Sequence, residues 1–498
     1  MHRRWSRGIT AVALAITPAV AALGPPAPAS AAPPGPVSAA LPGPASAPPP
    51  GPPWPVSGDS PYASGCRDET PGTTFLGAEV EPSLDVDPRN SRHLVAAWQQ
   101  DRRSNGGAQG IGIAVSRDGG RSWRPAAAPT FTQCMGGDAT NGGDYERTSN
   151  PWVSFGPDGL VYLIALATNP VDGDSVMLAS TSTDGGATWG PVRTLIDDDD
   201  PAVLNDKPAI TADPRRAGHA YAVWDRLSGE GTEADPSFGP TYFTRTTDGG
   251  RTWSKAVPIL DPGPNAQTIA SVVEVLGDGT LVLVTDVITP DGVGHITAMR
   301  STDGGVTWQP QREIGTLTFK TVSDPASGVR IRTADYLLST AADPRRGHRE
   351  LYVAWQDASF SGGTLSQIVV SASRDGGLTW SAPARLSAAD KQAFLPQLAV
   401  NDHGLPLLTY LDFSDDDTAT PELETTIWTR YRLFNGRWTP AHALSAPRID
   451  MRQAPAVPGR FIGDYYGLVH LGARFGLAIP VPGLRAGDQG DVVYRPVP

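Results

Sequence analysis

From about residue 75 onward, short apolar runs recur along the chain, each stopped by a cluster of Gly, Pro, Asn or Asp. The runs at 82–86 and 93–98 flank Asp87-Pro88-Arg89-Asn90, and those at 208–211 and 220–224 flank Asp213-Pro214-Arg215-Arg216. Gly156-Pro157-Asp158-Gly159, Gly277-Asp278-Gly279, Asp343-Pro344-Arg345-Arg346, Asn401-Asp402-His403-Gly404 and Gly472-Ala473-Arg474 repeat the arrangement. Runs this short, with turn residues between them, predict β-hairpins.

A second turn follows each of the first six. Ser116-Arg117-Asp118-Gly119-Gly120-Arg121-Ser122-Trp123 returns at 182–189, 246–253, 301–308 and 373–380, and a worn copy ends at Asn435-Gly436-Arg437-Trp438. Its tryptophans are 66, 64, 55, 72 and 58 residues apart. Two glycines accept positive φ, the Asp carboxylate can take backbone N–H groups inside the turn, and the Trp can pack on a neighbouring sheet. Five equivalent acids read as structural staples, not as a catalytic or metal set. Each unit is thus strand, Pro/Gly turn, strand, loop, strand, Asp-Gly-Gly turn, strand: an all-β propeller of four-stranded antiparallel blades. The span divides into seven blades, with six as the alternative. The last unit has strands at 461–470, 474–481 and 491–497, and its missing outer strand is expected from residues 73–77, so that no edge is left bare.

Composition agrees: 55 Gly and 49 Pro in 498 residues disfavour helices and supply turns. With a net charge of −12, no basic face is available for nucleic acid. The first acid comes after residue 56, whereas Arg3, Arg4 and Arg7 precede an apolar run at 8–24 and small-residue cleavage sites near 27–31. Residues 1–31 therefore read as a secretory signal peptide and 32–60 as a Pro/Ala-rich disordered spacer, with the propeller at 61–498. The protein is expected to be secreted, monomeric and without a membrane span. Cys66 and Cys134 are an even pair in an exported chain and predict one disulfide. The Asp runs at 197–200 and 414–417 offer hard oxygen ligands, so structural calcium is possible there; no other cofactor or metal is expected.

The Ser-x-Asp-Gly-Gly-x-Thr-Trp box resembles the Asp-box, or BNR, repeat of the sialidase superfamily, over roughly residues 75–498. That resemblance implies a secreted glycoside hydrolase of exo-α-sialidase type acting on extracellular glycans or glycoproteins. Its parts are three arginines on the substrate carboxylate, a Tyr nucleophile assisted by Glu, and an Asp acid/base. Val80, in Glu79-Val80-Glu81-Pro82-Ser83, stands where the first family arginine should. Asp101-Arg102-Arg103-Ser104-Asn105 is similar to the next landmark, and Gly463-Asp464-Tyr465-Tyr466-Gly467-Leu468 to the nucleophile segment. A non-catalytic glycan- or protein-binding propeller is the alternative.

In a propeller the innermost strands and adjoining loops form the concave face. The candidate catalytic residues are accordingly Asp464, Tyr465, Tyr466, Asp335 and Asp206. Arg102, Arg226, Arg332, Glu81, Lys207 and Tyr336 are the candidate substrate-binding ones.

Overall fold

The computed structural model describes residues 53–62, 66, 72–170, 173–229, 237–413, 416, 419–485 and 487–497. The expected signal peptide, most of the spacer and three residues of the second Asp run lie outside them. Among the described residues, seven four-stranded antiparallel units follow one another. Their innermost strands are Glu79–Val86, Arg147–Phe155, Val203–Ala212, Gln267–Val275, Leu338–Ala342, Ala393–Val400 and Gly467–Leu471. Each lies beside the next, and the seventh lies beside the first, so the sheets close into a ring.

The closing strand is not the expected segment. Trp54–Pro55 pairs antiparallel with Tyr494 and Val493, while residues 73–77 contribute one bridge, Thr74 to Arg103. The ring thus recruits residues that the composition assigns to the spacer. The apolar Trp54 stacks on Tyr494 (6.2 Å between ring centres), which a Pro/Ala spacer could not do. Cys66 and Cys134 form the expected disulfide, with a Cα separation of 5.5 Å.

The Asp-Gly-Gly turns work as staples. Asp118 Oδ1 accepts the Ser122 N–H (2.9 Å) and the Ser116 hydroxyl (2.9 Å), and Oδ2 accepts the Ser122 hydroxyl (2.7 Å). Asp184, Asp248, Asp303 and Asp375 repeat the pattern. Burial pushes the Asp184 carboxyl up, but these donors outweigh it and hold it down at about 2. The tryptophans pack across unit boundaries, Trp123 on Tyr494 and Trp308 on Phe243. The second glycine lies on the same neighbour: a Cβ at Gly120 (φ 84°) would sit 2.1 Å from Tyr494 Cε1. Gly120→Ala is therefore expected to cost ~2–4 kcal/mol, read as the midpoint of denaturant unfolding; a loss below ~0.5 kcal/mol would contradict the close approach.

Apolar clusters fill the spaces between successive sheets. The innermost strands splay too far apart to pair, so side chains bridge them. Ser83 Oγ accepts the Val153 N–H (3.0 Å), Asp85 the Phe155 N–H (2.7 Å), Ser154 the Ala212 N–H (3.0 Å) and Ser339 the Leu398 N–H (2.9 Å). They surround a central cavity of about 370 Å³.

Candidate active site at the channel mouth

A local device in the innermost strands builds the site. In units 1, 2, 3 and 6 the pairing register slips at a residue preceding proline: Glu81-Pro82, Asn150-Pro151, Lys207-Pro208 and Leu395-Pro396. Unit 4 makes the same slip at Ala270-Ser271 without a proline, so proline, which lacks the N–H to continue the ladder, suits the bulge rather than creating it. The residue before the proline sits at positive φ, 53° for Glu81, 51° for Asn150, 50° for Lys207 and 51° for Leu395. A left-handed non-glycine residue costs ~1 kcal/mol, and here that strain turns three polar side chains toward one mouth of the channel.

Asp464 is the hub. Its carboxylate is ion-paired with Lys207 Nζ and with Arg332, whose Nη2 and Nε lie 3.0 and 3.3 Å away. Burial alone would raise its pKa, but Arg332 and Lys207 outweigh that and hold it far below the carboxylate range. Reciprocally, burial disfavours the Lys207 ammonium, yet Asp464 and Asp206 keep it charged. The Asp464 N–H faces Glu81 Oε1 at 3.3 Å, an approach allowed by Gly463, where a Cβ would lie 2.7 Å from the Glu81 nitrogen. Glu81 Oε2 accepts from Asn150 Nδ2 (2.9 Å) and from Gln99 Nε2. Burial first, and then the charge of Asp464, push Glu81 up to about 7.

Two guanidiniums share the ring of Phe461, Arg332 at 4.5 Å and Arg102 at 5.3 Å from its centre. Arg102 also donates to Gln99 Oε1 (3.2 Å) and the Gly107 carbonyl (2.7 Å). Tyr465 donates its hydroxyl to the Pro151 carbonyl (3.0 Å) and packs on Trp152. Burial, followed by Glu81, Asp464 and Asp206, raises its phenol well above 10. Tyr336 is raised to about 12, chiefly by burial, in the field of Lys207 and Asp464. One carboxyl kept protonatable near neutrality, one kept ionised and a phenol in the field of both form a set able to move protons.

The expected residues divide accordingly. Asp464, Tyr465, Glu81, Lys207, Arg102 and Arg332 converge, and Tyr336, Asp206 and Asp335 stand half-buried around them. Tyr466 does not join them: it is 2% exposed in the apolar core of units 6 and 7, its hydroxyl bonded to Thr409 Oγ1 at 2.7 Å. Side chains of adjacent residues fall on opposite faces of extended backbone, so only one of the two tyrosines can face the mouth. Arg226 is held elsewhere, by both oxygens of Asp198 (2.6 and 2.9 Å) and against Tyr242. Asp198, in the first Asp run, is thereby occupied as a counter-ion. Gln99 and Phe461 were missed. Nothing local distinguishes them, whereas the recurrent X-Pro dipeptides inside strands were a usable signal for Glu81, Asn150 and Lys207.

No protein-family model and no curated protein matches this sequence. Solved structures align with it at low identity. The Hadza microbial sialidase Hz136 shares 17% identity over 81% of this chain and 73% of its own, with a TM-score of 0.45. A Penicillium chrysogenum α-L-arabinanase complexed with arabinobiose shares 14% over 89% and 97%, TM-score 0.44. A mutant NanB sialidase from Streptococcus pneumoniae shares 12% over 89% and 70%, TM-score 0.43. Among the described residues no helix is long and apolar enough to cross a membrane. The ring of four-stranded sheets, stapled by Asp-Gly-Gly turns, is a β-propeller.

Proposed function

We propose that this protein is a secreted glycoside hydrolase that cleaves extracellular glycans at the channel mouth. The observation that carries the reading is the Glu81–Asp464 pair, two buried carboxyls at one point whose proton affinities are driven in opposite directions. Tyr465 is the nucleophile: its oxygen attacks the anomeric carbon while Glu81, the acid whose charge acts on it most strongly, takes the phenolic proton. Asp206 or Asp335 protonates the leaving oxygen and later activates water. Arg332 and Lys207 keep Asp464 ionised.

The exo-α-sialidase form of this reading draws on Arg102, Lys207 and Arg332 as three cations in one cluster. Each is already engaged within the protein, and Val80 is fully buried. A sialoside carboxylate must therefore displace Asp464 or Gly107 contacts to bind. The decisive experiment is a panel of chromogenic glycosides, a sialoside included. Turnover of at least one substrate is expected, falling by ~10³-fold or more in Tyr465→Phe with an unchanged melting temperature. Absence of turnover on every glycoside, with glycan binding retained, would establish the non-catalytic alternative. The Tyr465 hydroxyl, already satisfied by Pro151, is what favours that second reading.

A further inference from the structure

A second set of charges lies where the two ends of the ring meet, away from the channel mouth. Asp59, Glu79, Asp488 and Asp491 gather around Arg485. Arg485 pairs with Asp59 (2.9 Å), Asp488 (3.0 Å) and Asp491 Oδ1, so one cation faces four carboxylates. Glu79 and Asp491 are 0% and 2% exposed. Three buried oxygens in this set, Glu79 Oε1, Asp491 Oδ2 and Gln489 Oε1, have no hydrogen-bond partner among the described residues.

The backbone brings them together. The Glu79 N–H donates to the Gly490 carbonyl at 3.0 Å, and Gln489 and Asp491 flank that glycine. The other Glu79 oxygen, Oε2, accepts the Val492 N–H at 3.0 Å, so its carboxyl is seated against the 490–492 segment. Burying four carboxylates around one shared counter-charge leaves part of their desolvation cost unrecovered. Burial accordingly pushes Glu79 up to about 8, with Asp491 adding to it. Three unpartnered acceptors grouped around a single guanidinium call for a further cation.

We propose that this seam binds one divalent calcium ion, with Glu79, Asp491 and the Gln489 carbonyl as protein ligands. Carboxylate and amide oxygens are the hard donors calcium takes, in numbers and geometries flexible enough for an irregular seam, and water completes the shell. The ion would join the first strand of unit 1 to the last strand of unit 7. It therefore binds the closed ring and not the unfolded chain, and stabilises by mass action.

The test uses the full chain, stripped with chelator and titrated with calcium chloride. One equivalent should bind in calorimetry, and the melting temperature should rise by several degrees. Glu79→Gln keeps the shape and removes the buried charge; it should abolish the calcium response while melting no lower than metal-free wild type. Gln489→Ala should weaken calcium binding by about tenfold, and it decides the matter alone if Glu79→Gln does not fold. Asp199→Asn, in the first Asp run, should bind calcium as wild type does. The proposal fails if wild type shows no saturable response to calcium, or if both seam variants respond as wild type does.

Discussion

Replacing Asp464 with asparagine is expected to abolish activity and to destabilise the ring by ~3–5 kcal/mol, on the order of 10 °C in melting temperature. An exposed catalytic acid would give a milder result, loss of turnover with melting nearly unchanged; burial makes the difference. Asp464 is 2% exposed and is the counter-ion of both Lys207 and Arg332, whose side chains are 7% and 24% exposed. An amide cannot neutralise them, so a buried ammonium is left without its charge partner. Exposed salt bridges seldom contribute more than ~1 kcal/mol, but removing one member of a buried set leaves the other's desolvation unrecovered. The same logic supplies a control. Adding Lys207→Met to Asp464→Asn removes the stranded cation and should recover part of the lost stability. A single variant melting within about 2 °C of wild type would show that Asp464 is not the electrostatic hub.

The second large effect is on pH dependence. Stability should be greatest near pH 5 and fall as the solution is made neutral and then mildly alkaline. Burial raises Glu79 and Asp286 to about 8, Glu81 and Asp225 to about 7, and Asp85 to about 6. Each of these stays protonated in the folded chain above the pH near 4 at which it ionises in the unfolded one. Between those limits the unfolded state binds fewer protons, so stability declines with rising pH. Asp464, Asp184 and Asp375 are shifted the other way. Their contribution is complete above the unfolded value and is lost as pH falls through the folded one, which sets the acid limb. Melting curves recorded in chelator from pH 4 to 9 test this, since calcium at Glu79 would offset part of the alkaline loss. A flat profile, or a maximum near pH 8, would mean that these carboxyls are not buried as described.

The acidic optimum and the proposed chemistry are connected. Glu81 accepts the phenolic proton only as a carboxylate, so activity should rise with pH through about 7 while stability declines. The site works at the expense of the ring that holds it.

What the chain says locally it says clearly. Each Asp-Gly-Gly turn is written within eight residues: the glycines allow the positive φ, and the Asp and hydroxyl partners lie four positions apart or closer. Turn chemistry of that range needs no tertiary context, so the repeat, the strands around it and the propeller were legible without coordinates. The X-Pro bulges that aim Glu81, Asn150 and Lys207 were equally local, though only their positive φ reveals what they do. The site itself was legible as a set of candidates and no further. Lys207 and Asp464 are 257 residues apart, and Glu81 and Asp464 are 383 apart. Those pairings exist because the ring closes, and closure also decided that Trp54–Pro55 serves as the last strand. Strand register chose Tyr465 over Tyr466 and left Arg226 to Asp198. Hydrogen bonds within a turn depend on neighbours in the chain, whereas an ion pair across a channel depends on where seven sheets meet.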